Sequence, residues 1–266
     1  MTMGTVAWTE EFPEVAGTKL QLVRGGAGDP LVILHDEMGH HGQVRYQDEL
    51  ARDYTVHIPS HPGFGATEGQ EWIMNMRDMA GWYLEALDDL NLGPVNLLGF
   101  SLGGWLAAEM ASMSPDLIRK LVLVAPAGIR PPAGEIFDMF LVVPRDYIVA
   151  GFLNPETTPE FGDVCPEEPS AELNEAWAVA REEACRLSWR PYMHNLAMPN
   201  LVRRLKRVPT QIIWGREDNI VPVSAGQVYH DSIPGSSLEI LDGCGHRPEL
   251  ENTDEFLSLV KQFLSS

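Results

Sequence analysis

The chain has 266 residues, 44% of them hydrophobic, with 38 acidic against 19 basic side chains and a formal charge of −19. That is enough apolar material for a large core in one α/β unit, while the scarcity of clustered Lys and Arg argues against a nucleic-acid partner or docking to an anionic membrane. The N-terminal MTMGTVAWTEEFPEVAG lacks a basic segment followed by an apolar run, and no stretch approaches the ~20 apolar residues of a membrane span. Cys165, Cys185 and Cys244 form no CxxC pair, so the expectation is a cytoplasmic protein with free thiols.

In chain order, residues 18–24 alternate in polarity and read as an antiparallel edge strand. Residues 31–34 (LVIL) form an unbroken apolar run and read as a buried strand, as do the short, largely apolar runs 54–58, 95–99, 121–125, 211–214 and 238–241. Continuous rather than alternating apolarity predicts parallel strands covered on both faces. Between them, Met76, Met79, Ala80, Tyr83, Leu87 and Leu90 recur at helical spacing, and Leu92-Gly93-Pro94 ends that helix. A final helix carries Phe256, Leu259, Val260 and Phe263 on one face, with Asn252 or Thr253 as its cap. Strands alternating with helices predict an α/β fold, a mostly parallel central sheet with helices on both faces.

Residues 131–207 break this rhythm. They contain no convincing strand, and Leu173, Ala176, Trp177, Ala180, Ala184 and Leu187 form another helical stripe. The segment is far longer than an ordinary connection, so it is expected to be a helical lid inserted into a core made of 1–130 and 208–266. Met139, Phe140, Phe152, Trp177, Trp189, Tyr192 and Met193 are its candidates for an apolar pocket, although an amphipathic lid must bury such residues in any case.

The chemistry centres on GFSLGG at 99–104. GxSxG alone is a weak pattern, but here a strand precedes it and a helix, WLAAEMA, follows. A turn that sharp requires Gly99 and Gly103 and leaves Ser101 above a helix N-terminus. A serine needs a base and the base a carboxylate. Of eight histidines, His246 lies in a small-residue loop, DGCG, after the last strand. His57 sits within a strand run, and His194 and His230 have helix-like polar surroundings. His40 and His41 are expected to be exposed. Asp218 and Glu217 in WGREDNIVP both follow a strand; Glu217 fits a solvated loop charge better. The order Ser, Asp, His is then that of the nucleophile-elbow hydrolases. No P-loop, dinucleotide fingerprint or metal-ligand spacing appears, so neither cofactor nor metal is expected.

Taken together, GFSLGG, WGREDNIVP, GCGHRPELENTDEF, HPGFGAT and LVLVAPAG resemble, in this order of roles, the elbow, acid loop, histidine loop, PGxGxS turn and pre-lid strand of the α/β-hydrolase superfamily, in its lidded group. The resemblance implies Ser101 as nucleophile, His246 as base, Asp218 as acid, and an oxyanion hole made by the backbone N–H groups of Leu102 and Glu37. Ser in place of Asp at the elbow distinguishes the chain from dehalogenases and epoxide hydrolases of this fold. Two departures stand out. His35-Asp36-Glu37 replaces the usual His-Gly after the first buried strand, and Arg247 stands where related C–C hydrolases often carry an aromatic. The expected activity is hydrolysis of a small, largely apolar carboxylic ester through an acyl-enzyme. The alternatives are C–C hydrolysis of a ring-fission-type diketone and a ligand-binding receptor that retains the triad.

Overall fold

The computed structural model describes residues 6–266. Its sheet strands are β1 (Trp8–Glu11), β2 (Leu22–Gly26), β3 (Asp29–Leu34), β4 (Tyr54–Pro59), β5 (Val95–Phe100), β6 (Ile118–Val124), β7 (Thr210–Gly215) and β8 (Ser237–Leu241). They form one eight-stranded sheet in the order β1-β2-β4-β3-β5-β6-β7-β8. The pairs β1–β2 and β2–β4 are antiparallel and all others parallel. The apolar runs lie at its centre: Leu31, Leu34, Val95, Leu97, Leu98, Leu121 and Leu123 are all fully buried. Register brings Leu34 beside Gly99 and Gly99 beside Leu123, so the carboxyl ends of β3, β5 and β6 lie together, where open α/β sheets bind ligands.

The edge differs from expectation. Residues 18–24 are not one strand. Thr18–Lys19 pairs with Glu14–Val15 in a separate two-stranded hairpin, turned by Ala16 and Gly17 at φ +46° and +71°. Only Leu22–Gly26 joins the sheet, one place in from the edge. The edge itself is β1, whose sequence WTEE is mostly exposed and carries no apolar alternation. It is held by Trp8, which packs where a Gly25 side chain would lie and donates its indole N–H to Asp48 at 2.7 Å.

The helices before the insertion are α1 (Arg45–Leu50), α2 (Met76–Asp89) and α3 (Ser101–Met113). The Asn75 side chain caps α2 by accepting from the Arg77 and Asp78 amides at 2.9 and 3.0 Å. Every residue of α3 from Ser101 to Ser112 is buried, as befits a helix between the sheet and α2. Between β6 and β7 the chain forms α4 (Pro144–Ala150), α5 (Phe161–Val164), α6 (Ala171–Ser188) and α7 (Met198–Leu201) and contributes no strand to the sheet. Helix α6 buries Trp177, Ala180, Ala184 and Leu187, whereas Ala176, assigned to the same stripe, is exposed. The C-terminal helices are α8 (Ser224–Ser232), α9 (Pro248–Glu251) and α10 (Thr253–Ser265). Helix α10 buries Phe256 and Val260 as expected, with Leu257 and Leu264 in place of the half-buried Leu259 and Phe263. Among the described residues no helix is long and apolar enough to cross a membrane.

Candidate active site

Ser101 is the first residue of α3, directly after β5, and its φ of +46° is left-handed. That region is sparsely populated by residues with a side chain and costs of order 1–3 kcal/mol. Tight surroundings enforce it. A Cβ on Gly99 would run into the Gly103 carbonyl, and one on Gly103 into the carbonyl oxygens of Leu34 and His35. The Ala127 amide further fixes the turn by donating to the Ser101 carbonyl at 3.1 Å. Ser101 is only 2% exposed, and its Oγ has no hydrogen-bond partner among the described residues.

His246 and Asp218 come from the loops after β8 and β7. Their side chains meet with Nδ1 2.8 Å from Oδ2, both buried. Asp218 Oδ1 accepts from the Ile220 and Val221 amides at 2.8 and 2.9 Å, which aims Oδ2 at the imidazole. With Nδ1–H donating to the carboxylate, Nε2 is left as the acceptor, and it too has no partner among the described residues. Burial opposes a charge on His246, but Asp218, and with it Glu37, carries its pKa above the usual histidine value. The neighbouring Glu217 has a structural task. It accepts from the Gly243 and Cys244 amides at 2.9 and 3.2 Å and so joins the acid loop to the histidine loop; it is half-buried rather than solvated.

Of the two expected oxyanion donors, the Leu102 amide has the Glu37 carboxylate set against it. Glu37 is fully buried. Its Oε2 accepts weakly from the Leu102 amide at 3.4 Å, and its Oε1 accepts from the Tyr147 hydroxyl of α4 at 2.5 Å. Its own backbone N–H donates to no group among the described residues. Burial and the neighbouring Glu37 keep the Tyr147 phenol pKa well above its usual value, so it remains a donor.

Asp36 explains how this loop is held. Its Oδ1 accepts from the Met38 amide at 2.7 Å, and its Oδ2 meets Arg247 and, at 3.3 Å, His41. Burial works against the Asp36 charge, yet Arg247 and His41 hold the carboxyl well below the usual carboxylate range. Arg247 also faces Glu249 at 3.9 Å. Thus the two departures from the family pattern, Asp36 and Arg247, are partners. His41 and His40 are half-buried around this cluster rather than exposed, and burial pushes His40 down to about 4.

Beneath it, His35 and His61 stack with ring centroids 3.7 Å apart. The His61 amide donates to His35 Nε2 at 3.0 Å, so His35 carries its proton on Nδ1 and donates to the Asp36 carbonyl at 2.7 Å. His61 Nε2–H donates to the His35 carbonyl at 3.0 Å, leaving Nδ1 to accept from Tyr83 at 2.6 Å. Both rings are therefore neutral, in keeping with burial, which lowers their pKa values, that of His35 to about 4.

In the insertion, Met139, Phe152, Trp177 and Met193 are buried in the core. Phe140, Trp189 and Tyr192 form an edge-to-face cluster, with Trp189 48% exposed. Sequence reasoning did not single out Tyr147, His61 or the partner of Arg247; all three act across long separations that carry no spacing signal. Among the described residues no group of three or more His, Cys, Asp or Glu is arranged to hold a metal ion.

A mostly parallel sheet in this strand order, with a serine at a strained strand-to-helix turn and a buried histidine–carboxylate pair on the loops after its last two strands, is the arrangement of the nucleophile-elbow hydrolases. The profile of the Alpha/beta hydrolase family matches residues 31–259, and the chain belongs to that family. It is 29% identical over 265 residues to a 2-hydroxymuconate semialdehyde hydrolase of Pseudomonas sp. (strain CF600), covering 94% of this chain and 92% of that one. It is also 29% identical to a monoacylglycerol lipase of Xenopus laevis, covering 91% and 78%. The crystal structure of a bacterial membrane phospholipase A superposes with a TM-score of 0.82 at 22% identity, covering 97% of this chain and 86% of that one.

Proposed function

We propose that the protein is a serine hydrolase that cleaves small, largely apolar carboxylic esters through an acyl-enzyme, in the cytoplasm and without metal or cofactor. The observation that carries this is the buried His246–Asp218 pair with Nε2 left to accept a proton, supported by the strained Ser101 at the strand-to-helix turn. Ser101 Oγ attacks the acyl carbon while His246 Nε2 takes its proton; Asp218 holds the tautomer and stabilises the imidazolium. His246 then protonates the leaving alcohol, and water, deprotonated by the same nitrogen, releases the acid. The Leu102 and Glu37 N–H groups serve the oxyanion, an interaction worth roughly 3–4 kcal/mol per donor, once the Glu37 carboxylate turns aside. Residues 131–207 act as a lid over a core of 1–130 and 208–266, with Phe140, Trp189 and Tyr192 toward the apolar part of a small-molecule substrate.

The test is Ser101→Ala against a short p-nitrophenyl ester, with a serine-reactive phosphonate as a covalent probe. The variant is expected to lose nearly all turnover and to resist labelling; retained turnover in a pure sample overturns the reading. The likeness to the 2-hydroxymuconate semialdehyde hydrolase supports a second reading, C–C cleavage of a ring-fission-type diketone. Parallel assays of an aryl ester and a dienoate diketone separate the two. Tight ligand binding with only very slow turnover of both would instead favour a receptor.

A further inference from the structure

The described chain buries five carboxylates: Asp36, Glu37, Glu109, Asp218 and Glu249. Four face a basic side chain, namely Arg247 for Asp36 and Glu249, Arg77 for Glu109 and His246 for Asp218. Of these five, Glu37 alone has no basic group within 4.0 Å: its close partners are the Tyr147 hydroxyl and the Leu102 amide, and His246 and Arg247 feel its charge only from farther off. A carboxylate buried without a cation is costly. This one sits at the amide assigned above to the substrate's carbonyl oxygen, where a cationic group on a substrate would meet it.

We propose that Glu37 is a specificity-determining residue that selects esters bearing an ammonium group next to the scissile carbonyl; the inference rests on the serine-hydrolase reading. The Leu102 N–H cannot serve both Glu37 Oε2 and a carbonyl oxygen well. A neutral ester therefore has to displace the carboxylate and then develop negative charge beside it. An ammonium ester draws Oε2 off the amide and neutralises it there, while Tyr147 keeps hold of Oε1. The chain's charge of −19 favours the approach of such a cation. The ammonium can sit on the acyl side, as in an α-amino ester, or on the alcohol side, as in a choline ester.

Two nearly isosteric pairs distinguish these sources: benzyl norvalinate against benzyl pentanoate, and choline pentanoate against 3,3-dimethylbutyl pentanoate, at about pH 6.5, where the amino ester is protonated. For the wild type, kcat/KM is expected to favour the ammonium member of at least one pair by about tenfold or more, the size of one charge-assisted hydrogen bond for the amino ester and of a close ion pair for the choline ester, which has no N–H to donate. Glu37→Gln should bring that ratio near unity by slowing the ammonium ester and speeding the neutral one. Tyr147→Phe, which frees Oε1 but keeps the charge, should retain the preference with a raised KM, and it stands in for the first variant if that fails to fold. Ratios near unity for the wild type in both pairs overturn the proposal. So does a Glu37→Gln enzyme that keeps the preference, or that changes both members of a pair equally, as simple obstruction would. Phosphonate labelling of Ser101 with no ammonium preference overturns this inference alone; absence of labelling together with no hydrolysis of any of the four esters overturns the serine-hydrolase reading itself.

Discussion

Replacing Arg247 by Met removes the cation from the ion cluster under the site while keeping most of the side-chain volume. Arg247 and Asp36 are 7% and 4% exposed in their side chains, so water cannot take over the lost partner. Asp36 would keep the Met38 amide and His41. Glu249, which burial already pushes up to about 7, can instead take up a proton at modest cost. The expected loss is therefore dominated by Asp36 and falls in the range of about 3–5 kcal/mol for breaking a buried pair. The double variant Asp36→Asn, Arg247→Met leaves no stranded charge. It should recover much of that loss, with a coupling of roughly 2 kcal/mol or more. Urea unfolding at neutral pH, followed by tryptophan fluorescence and by circular dichroism, measures both quantities. A single variant within about 1 kcal/mol of wild type, or single losses that merely add in the double variant, would refute the reasoning.

Two further outcomes follow from other parts of the molecule. His57 on β4 is buried among Leu20, Leu22, Val32 and Leu87, with Nδ1 unpartnered among the described residues. Burial, helped by Arg24, pushes its pKa down to about 4. Because the unfolded chain binds this proton from about pH 6.5 downward and the folded one only near 4, its contribution is present above 6.5 and lost as pH falls toward 4, up to about 3 kcal/mol. His57→Leu should flatten the stability profile over that window by up to this amount; an unchanged profile measured by thermal unfolding excludes the mechanism. Glu249 works in the opposite sense, favouring the fold as pH falls from about 7 to 4.5, so the comparison is made against wild type at each pH. At the elbow, Gly103→Ala drives a methyl into the carbonyls of Leu34 and His35. It should cost several kcal/mol and abolish ester turnover; a variant with wild-type melting temperature would show that the turn tolerates a side chain.

The central strands were legible because residues buried on both faces leave largely apolar runs; β3, β5 and β7 extend the runs read from sequence by one or two residues at an end, while β6 begins three residues earlier and stops one residue short, at Val124. The edge was not. An outer strand needs no apolar pattern, so WTEE was invisible while the alternating 18–24 was mistaken for one continuous element. Ser101, Asp218 and His246 stood out because each lies where a short loop leaves a strand. The surroundings of the proposed oxyanion hole were not legible in the same way. Asp36 and Arg247 appeared as two separate departures from a familiar pattern, and only the folded chain brings them into contact. Tyr147 lies in a helix whose sequence explains its burial by packing alone; its hydroxyl acquires meaning only opposite Glu37.

One carboxylate ties the segment between β6 and β7 to the loop that carries the proposed base. Glu251 accepts from the Leu153 and Asn154 amides at 2.7 and 3.2 Å, just after α4, and from the Gly245 amide at 2.7 Å, next to the proposed base. The His246 amide in turn donates to the Gly151 carbonyl at 2.7 Å. If the insertion hinges at 151–154 to admit substrate, it pulls on the backbone that orients the imidazole. Entry and proton transfer would then not be separable events. The enzyme would be catalytically disarmed while open and armed on closing, so changes at this joint would move KM and kcat together.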